Sequence, residues 1–543
     1  MEKDMHVNNQ YDLIIRGGSV YDGTGTEPRN VDIAIAGETI AKIGDLSNSH
    51  APIDIDASAL RVAPGFIDIH THSDISALFN PKMESMVSQG VTTQVTGNCG
   101  LSLALATRDE RFFFEKRWLR QFGVSITWDS LDENLRLIEE NGIATNYLTL
   151  VGQGTLRKRV MGQDNRPPNA KEMQEMKNHL FHAMEEGAWG MSTGLEYTPS
   201  SYADVAELVE LSEVVAQRNG IYATHLRNEG DTLVESVAEA LEIGERAHIP
   251  VQISHHKAEG RRNWGKVKTT LDMISKARSN GVDVQLDQYP YTAFQTSMSV
   301  QFLPTWANMG DNDAVLARLT SPETRQAILD DIRRNHPEWD DLGENSIWDG
   351  VEIAMARTNR RLQGRTIGEL ARQSGANPIE YALDLIAEER NFISAINFSI
   401  NEEDIALVMQ YPCTMIGSDA VGASPEGKMG EDHVHPRCYG TFPRVLGRYV
   451  RENNVISESA AIFKMTSLPA RRLGIMKRGE LKERYYADIV IYNPKTIIDK
   501  ATYRKPHQFA DGVVMTIVNG GIVWKNGAHT ERLPGMVLRK NRQ

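Results

Sequence analysis

Apolar and polar residues alternate with a period of two near the start of the chain, over residues 11–20 and again over 31–44, with glycines breaking the runs. Short alternating runs of this kind predict antiparallel strands and hairpins. The same style returns over 487–494 and 513–527, the latter with Asn-Gly turn signals. Neither end carries enough strands for a sheet that is stable alone. The pattern therefore predicts one small β-sandwich domain built from both termini, residues 1–63 and 475–543.

Between these ends, over residues 64–474, strand-like and helix-like stretches alternate, as in a parallel α/β fold. Eight strands are predicted, at 66–69, 92–95, 147–150, 189–191, 221–224, 251–254, 282–286 and 414–417. Helical periodicity fills intervals such as 205–218 and 233–247. Eight such units predict a TIM-like (β/α)8 barrel, whose active face lies at the C-terminal ends of its strands. The interval before the eighth strand is much longer than the others. It holds Pro304, Trp306 and a helical stretch at 323–334, so an insertion is expected at about 296–365 near the barrel mouth.

Composition narrows the class of partner. The chain has 543 residues, more than one ordinary core, with 41% hydrophobic and 24% charged residues. Its 59 basic and 72 acidic residues give a net charge of -13. Polyanions are bound through basic surface, so this balance argues against nucleic acid and anionic membranes. A small-molecule partner is expected, and an anionic one needs a local positive pocket. The three cysteines, Cys99, Cys413 and Cys438, do not suggest a disulfide framework and favour the reducing cytoplasm. Residues 1–9 lack the apolar core of a signal peptide, and no run is long enough to span a bilayer.

The strand ends carry the chemistry. The first closes on His70 and His72, and side chains two apart on a strand share a face. The second runs into Gly97-Asn-Cys-Gly, where Cys99 reads either as a small buried residue or as a thiolate ligand. The fifth offers His225. The sixth offers His255 and His256, of which alternation lets only one face the lumen; His255 is the candidate ligand, Lys257 shares its side, and His256 is structural. The eighth leads to Asp419, which reads as a helix cap or as the carboxylate that holds a metal and accepts a proton. Four histidines, a cysteine and an aspartate at five strand ends make a zinc-type donor set.

These residues resemble the amidohydrolase superfamily, and within it the D-aminoacylase (N-acyl-D-amino-acid deacylase) family. The resemblance runs over nearly the whole chain, through Ala63-Pro-Gly-Phe-Ile-Asp-Ile-His-Thr-His, Gly97-Asn-Cys-Gly, Gly194-Leu-Glu-Tyr and Thr224-His-Leu-Arg-Asn-Glu-Gly. It continues through Ile253-Ser-His-His-Lys, Asp287-Gln-Tyr-Pro-Tyr, Gly417-Ser-Asp, His435-Pro-Arg and Tyr439-Gly-Thr-Phe-Pro-Arg. It implies hydrolysis of N-acyl-D-amino acids to a carboxylate and a free D-amino acid. It implies that Cys99, His225 and His255 hold one tight zinc, while His70, His72 and Asp419 flank it and offer a second, weaker position. Asp419 then serves as the acid-base group. Arg437, Tyr289 and Lys257 bind the substrate carboxylate, and His72 or Tyr197 assists at the carbonyl oxygen. The chain departs from the family's pattern at Gln295, where relatives often have serine, and at Gln153, where many have histidine. The stretch 420–434 also looks longer than in some relatives.

Two other readings compete. A cyclic-amide hydrolase resembling dihydropyrimidinase or hydantoinase calls for a carbamylated lysine on the fourth strand, and residues 187–197 contain no lysine. A metal-free scaffold calls for lost ligands, whereas every expected ligand position is filled.

Overall fold

A computed structural model of the chain describes residues 11–106, 122–343 and 346–542. The polar N-terminal stretch at 1–9 lies outside them. Among the described residues, eight parallel strands form a barrel: β1 (Phe66–Asp68), β2 (Val91–Thr96), β3 (Asn146–Thr149), β4 (Gly190–Gly194), β5 (Ile221–His225), β6 (Val251–Ile253), β7 (Val284–Gln288) and β8 (Thr414–Ile416). β1 pairs with β2 and β2 with β3. Val151–Gly152, just beyond β3, pairs with β4, and the ladder then runs in order to β8. The ring closes just beyond β1 and β8, where Thr71 pairs with Ala420. There the His72 N–H donates to the Ala420 carbonyl at 2.8 Å and the Asp419 N–H to the His70 carbonyl at 2.8 Å. The seam that closes the barrel is therefore made by the segments carrying His70, His72 and Asp419.

The strands are buried on both faces, as parallel strands covered by helices must be; all of β2 is buried. Ile67, Val95, Leu148, Trp189, Ala223 and Met415 fill the lower interior. The helices follow from local signals. Ala170–Glu186 starts at Asn169, whose side chain and that of Glu172 make a capping box, and stops at Gly187 with φ 119°. Its buried Met176, Leu180, Ala183 and Met184 lie on one face. The predicted helices at 205–218 and 233–247 appear as Val205–Ala216 and Leu233–Ala247. Among the described residues, no helix is long and apolar enough to cross a membrane.

The two ends of the chain meet in one sheet, where Ile489–Tyr492 pairs antiparallel with Arg61–Pro64. A second sheet, built around Leu13–Arg16 and Asp32–Ala36, packs on it through Ile15, Ile33, Val62, Ile489 and Met515. Two expected boundaries move. The final segment does not stay in the β domain: it leaves at about 533 and runs beside β3, with the Tyr147 N–H donating to the Met536 carbonyl at 2.8 Å and the Leu538 N–H to the Tyr147 carbonyl at 2.7 Å. There it covers the barrel floor, where the Trp189 indole donates to the Leu538 carbonyl at 2.7 Å and Arg539 pairs with Asp132 at 2.7 Å. The insertion also reaches further than about 365. Its antiparallel sheet joins Phe294–Ser297 and Val351–Ala356 on either side of Ile393–Asn397, so the inserted body extends to Asn397. Helical periodicity after 365 does not reveal which sheet a helix serves, so the expected limit fell short.

Candidate active site

Apart from His225, which ends β5, the donor side chains sit beyond the strands rather than on them. β6 ends at Ile253 and β8 at Ile416, and His255, Asp419 and Cys99 each adopt left-handed backbone, with φ 34°, 52° and 52°. Such conformations are uncommon and costly for residues with a Cβ, and they cluster where function requires them. Tight glycines make room for these kinks. Gly97, at φ +74°, has the Leu150 carbonyl oxygen 2.1 Å from where a Cβ would stand, and a Cβ at Gly417 would meet the His70 Cβ at 2.9 Å. His255 thus turns to the cluster through a kink beyond the strand, not through strand alternation. His256 is buried away from the cluster, with its Nε2 2.8 Å from the Thr270 hydroxyl, and burial lowers its pKa to about 4.

All six predicted metal ligands converge. One donor atom each from His70, Cys99, His255 and Asp419 lie within 4.8 Å of one another, and His225, Glu229 and His255 form an overlapping group. The Cys99 Sγ is 3.3 Å from the His70 Nε2 and 3.5 Å from the His255 Nε2. The Asp419 Oδ1 is 3.0 Å from the His72 Nε2 and 3.5 Å from the His70 Nε2. Burial alone would raise the Cys99 pKa, but the charges of His70 and His72 and contacts with His225 and His255 hold it well below the ordinary thiol range. Burial would likewise lower His72, yet Cys99 and Asp419 raise it to about 9. Asp419 stays ionised: Arg437 and the histidines outweigh its burial and hold it well below the usual carboxylate range.

The predicted substrate contacts line one cavity of about 330 Å³ with these donors: Arg437, Tyr289, Lys257 and Tyr197. Arg437 pairs with Asp419 at 2.6 Å, and its guanidinium stands 5.0 Å from the Tyr289 ring centroid. The Tyr289 hydroxyl is buried and has no hydrogen-bond partner among the described residues. Lys257 is not a free cation, because its ammonium pairs with buried Glu229. Tyr197 packs edge-on against His225 with ring centroids 4.8 Å apart. Gln295 lines the cavity and accepts from the His435 N–H at 3.0 Å. Gln153 is buried in a knot with Glu207 and Ser200.

Four supporting residues had no assigned role in the sequence. Glu229 accepts from the His255 Nδ1 at 3.0 Å while neutralising Lys257, leaving the His255 Nε2 turned to the cluster. Asp287 accepts from the His255 N–H at 2.8 Å and lies 3.3 Å from the His70 Nδ1. Glu196 is 2.9 Å from the His225 Nε2. His435 accepts the Arg437 N–H on Nδ1 at 3.0 Å and donates from Nε2 to the Ala293 carbonyl at 3.0 Å, which seats the arginine. Glu196, Glu229, Asp287 and His435 stand inside the Gly-Leu-Glu-Tyr, Arg-Asn-Glu-Gly, Asp-Gln-Tyr-Pro-Tyr and His-Pro-Arg motifs, which were the available signal. Carboxylates behind ligand histidines fix ring orientation and basicity.

The residues fit a metal on their own chemistry. A thiolate, imidazoles and one carboxylate are zinc's preferred donors. The His225 Nδ1 is also buried with no hydrogen-bond partner among the described residues, a costly state for a ring nitrogen unless an ion takes it. A parallel barrel with this donor set at the C-terminal ends of its strands defines a metal-dependent hydrolase.

Comparison with known proteins specifies which. The model of the amidohydrolase family matches residues 55–524. The chain is 35% identical over 531 residues to D-aminoacylase of Alcaligenes xylosoxydans xylosoxydans, covering 98% of both chains. It is also 35% identical to the N-acyl-D-glutamate deacylase of that organism over 535 residues, again 98% of both. A crystal structure of N-acyl-D-glutamate deacylase from Bordetella bronchiseptica, complexed with zinc and a phosphonate inhibitor that mimics the reaction tetrahedral intermediate, is similar with a TM-score of 0.81 and 33% identity, over 97% of this chain and 99% of that one. The chain belongs to the amidohydrolase family.

Proposed function

We propose that the protein hydrolyses the amide bond of N-acyl-D-amino acids, with zinc, to a carboxylate and a free D-amino acid. The observation that carries this reading is one cavity lined by a thiolate–imidazole–carboxylate donor set and by Arg437, Tyr289 and Lys257. The relatives named D-aminoacylase and N-acyl-D-glutamate deacylase support the same chemistry. Cys99, His225 and His255 are assigned to a tight zinc, with His70, His72 and Asp419 flanking a second, weaker position. The place of Cys99 among all four histidines supports the thiolate as the shared donor. Bound zinc supplies Lewis acidity, making water more acidic and polarising the substrate carbonyl.

The chain's own groups do the rest. Arg437, the unpartnered Tyr289 hydroxyl and Lys257 take the substrate carboxylate; an arginine fork suits a carboxylate, and the other two add directed donors. Asp419, ionised, accepts the proton of the attacking water at its carboxylate and returns it to the departing amine. His72 and Tyr197 border the reacting carbonyl. With the carboxylate and carbonyl both pinned, a side-chain pocket on one side admits one enantiomer. The cysteines, all free, support a reducing cytoplasmic setting.

A cyclic-amide hydrolase is less supported: β4 reads Gly-Met-Ser-Thr-Gly and offers no lysine to bridge metals. The deciding experiment is a panel of N-acetyl D- and L-amino acids with hydantoin and dihydrouracil, run on zinc-loaded protein. Turnover of D-substrates is expected. Turnover of L-substrates alone, or of the cyclic amides alone, would sink the reading.

A further inference from the structure

The relatives leave the substrate side chain open, since the D-aminoacylase and the N-acyl-D-glutamate deacylase are equally similar to this chain. The charges around the cavity do not. Apart from histidines, its basic lining residues are Lys257 and Arg437. Lys257 is already neutralised by Glu229, and Arg437 faces Asp419. Both are committed to the α-carboxylate, so among the described residues no further lysine or arginine lines the cavity to meet a second, side-chain carboxylate.

Four acids line the same cavity; Asp419 pairs with Arg437 and Glu229 with Lys257, which leaves Glu196 and Glu259. Glu196 is engaged by His225. The Glu259 carboxyl has no hydrogen-bond or ion-pair partner among the described residues. Its backbone is nevertheless fixed: the Glu259 N–H donates to the Glu229 carbonyl at 2.9 Å, and the residue bridges to Ile400 of the segment following the inserted body. Burial, with Glu196 and Glu229 close by, raises its pKa to about 8, and a cationic group beside it favours the ionised form and reverses that shift. Phe294, Val300 and Leu101 line the same space and suit a methylene stem. The buried, unpartnered Tyr289 hydroxyl, 3% exposed at the residue level, independently marks this cavity as a ligand's place.

We infer that the pocket selects N-acyl-D-amino acids with a cationic side chain on an aliphatic stem, such as lysine, ornithine or arginine, and that Glu259 is the residue that specifies it. The inference rests on the deacylase reading above. A charge-assisted contact of this kind changes binding by about 10- to 100-fold.

The test compares kcat/KM of zinc-loaded protein on N-acetyl-D-lysine, N-acetyl-D-arginine, N-acetyl-D-norleucine and N-acetyl-D-glutamate. Norleucine keeps the stem and removes the charge. The expected order is lysine or arginine above norleucine by about 10- to 100-fold, with glutamate last. In Glu259→Gln the lysine-to-norleucine ratio should collapse towards one, and in Glu259→Lys the glutamate-to-lysine ratio should rise. Equal use of lysine and norleucine by the wild type, or preference for glutamate, overturns the inference while leaving the deacylase reading intact. An unchanged ratio in Glu259→Gln overturns the role of Glu259. No turnover of any D-substrate overturns both.

Discussion

Glu229 carries two roles on one buried carboxylate. It neutralises Lys257 and orients His255 through the Nδ1 at 3.0 Å, with the side chains of Glu229 and Lys257 only 3% and 6% exposed. Burial opposes its ionisation, but Lys257, His255 and His225 hold its pKa well below the ordinary range. In Glu229→Gln the ammonium of Lys257 is left buried and unpaired, which costs about 3–5 kcal/mol of stability. The amide retains an acceptor for the His255 ring but not its charge, so zinc affinity should fall about 10- to 100-fold, as for other groups behind a ligand histidine. The two roles separate in a double variant. Glu229→Gln with Lys257→Met removes both charges, so much of the stability should return while zinc affinity stays low. Denaturant midpoints and competition with a chromogenic chelator read the two quantities. A Glu229→Gln protein with the wild-type midpoint, or a double variant no more stable than the single, would refute mutual compensation. Unchanged zinc affinity in both would refute the orienting role.

Three further outcomes follow from the same geometry. Cys99→Ala should lose most of its zinc by metal analysis and with it hydrolytic activity, and full retention of both removes the thiolate from the ligand set. In the metal-free protein His72 titrates near 9 instead of 6.5 because Cys99 and Asp419 outweigh its burial. Its contribution to stability is then complete below pH 6.5 and is lost as pH rises towards 9, so the metal-free protein should weaken across that window. His225, assigned to the tight zinc, is likewise held protonated by Glu229 and Cys99 against its burial, and zinc must displace its proton, so titration calorimetry near neutral pH in buffers of different ionisation enthalpy should show net proton release. A heat independent of buffer contradicts this.

Much of the protein is legible in its sequence. Local periodicity located all eight barrel strands, because a strand buried between helices and a packed lumen must be a short apolar run whatever its neighbours are. The candidate ligands were visible for a related reason: in a parallel barrel the active face is the set of strand ends, so His70, Cys99, His225, His255 and Asp419 are marked by position along the chain. The two termini were matched because neither could make a stable sheet alone.

Pairing over distance is what periodicity does not encode, and there the tertiary structure decided. The insertion runs to Asn397 because its third strand hydrogen-bonds to both others, and residues 533–539 cross the barrel floor because β3 has an edge to fill there. Neither partner is implied by a residue's own sequence neighbours. The site divides in the same way. Residue type and strand ends fixed which atoms could hold a metal. The left-handed kinks at Cys99, His255 and Asp419, the seam that brings His70 and His72 to Asp419, and the pairing of Glu229 with Lys257 arise only when distant segments are packed together. Sequence sets which side chains are available; burial and charge, which depend on every surrounding segment, set what each can do.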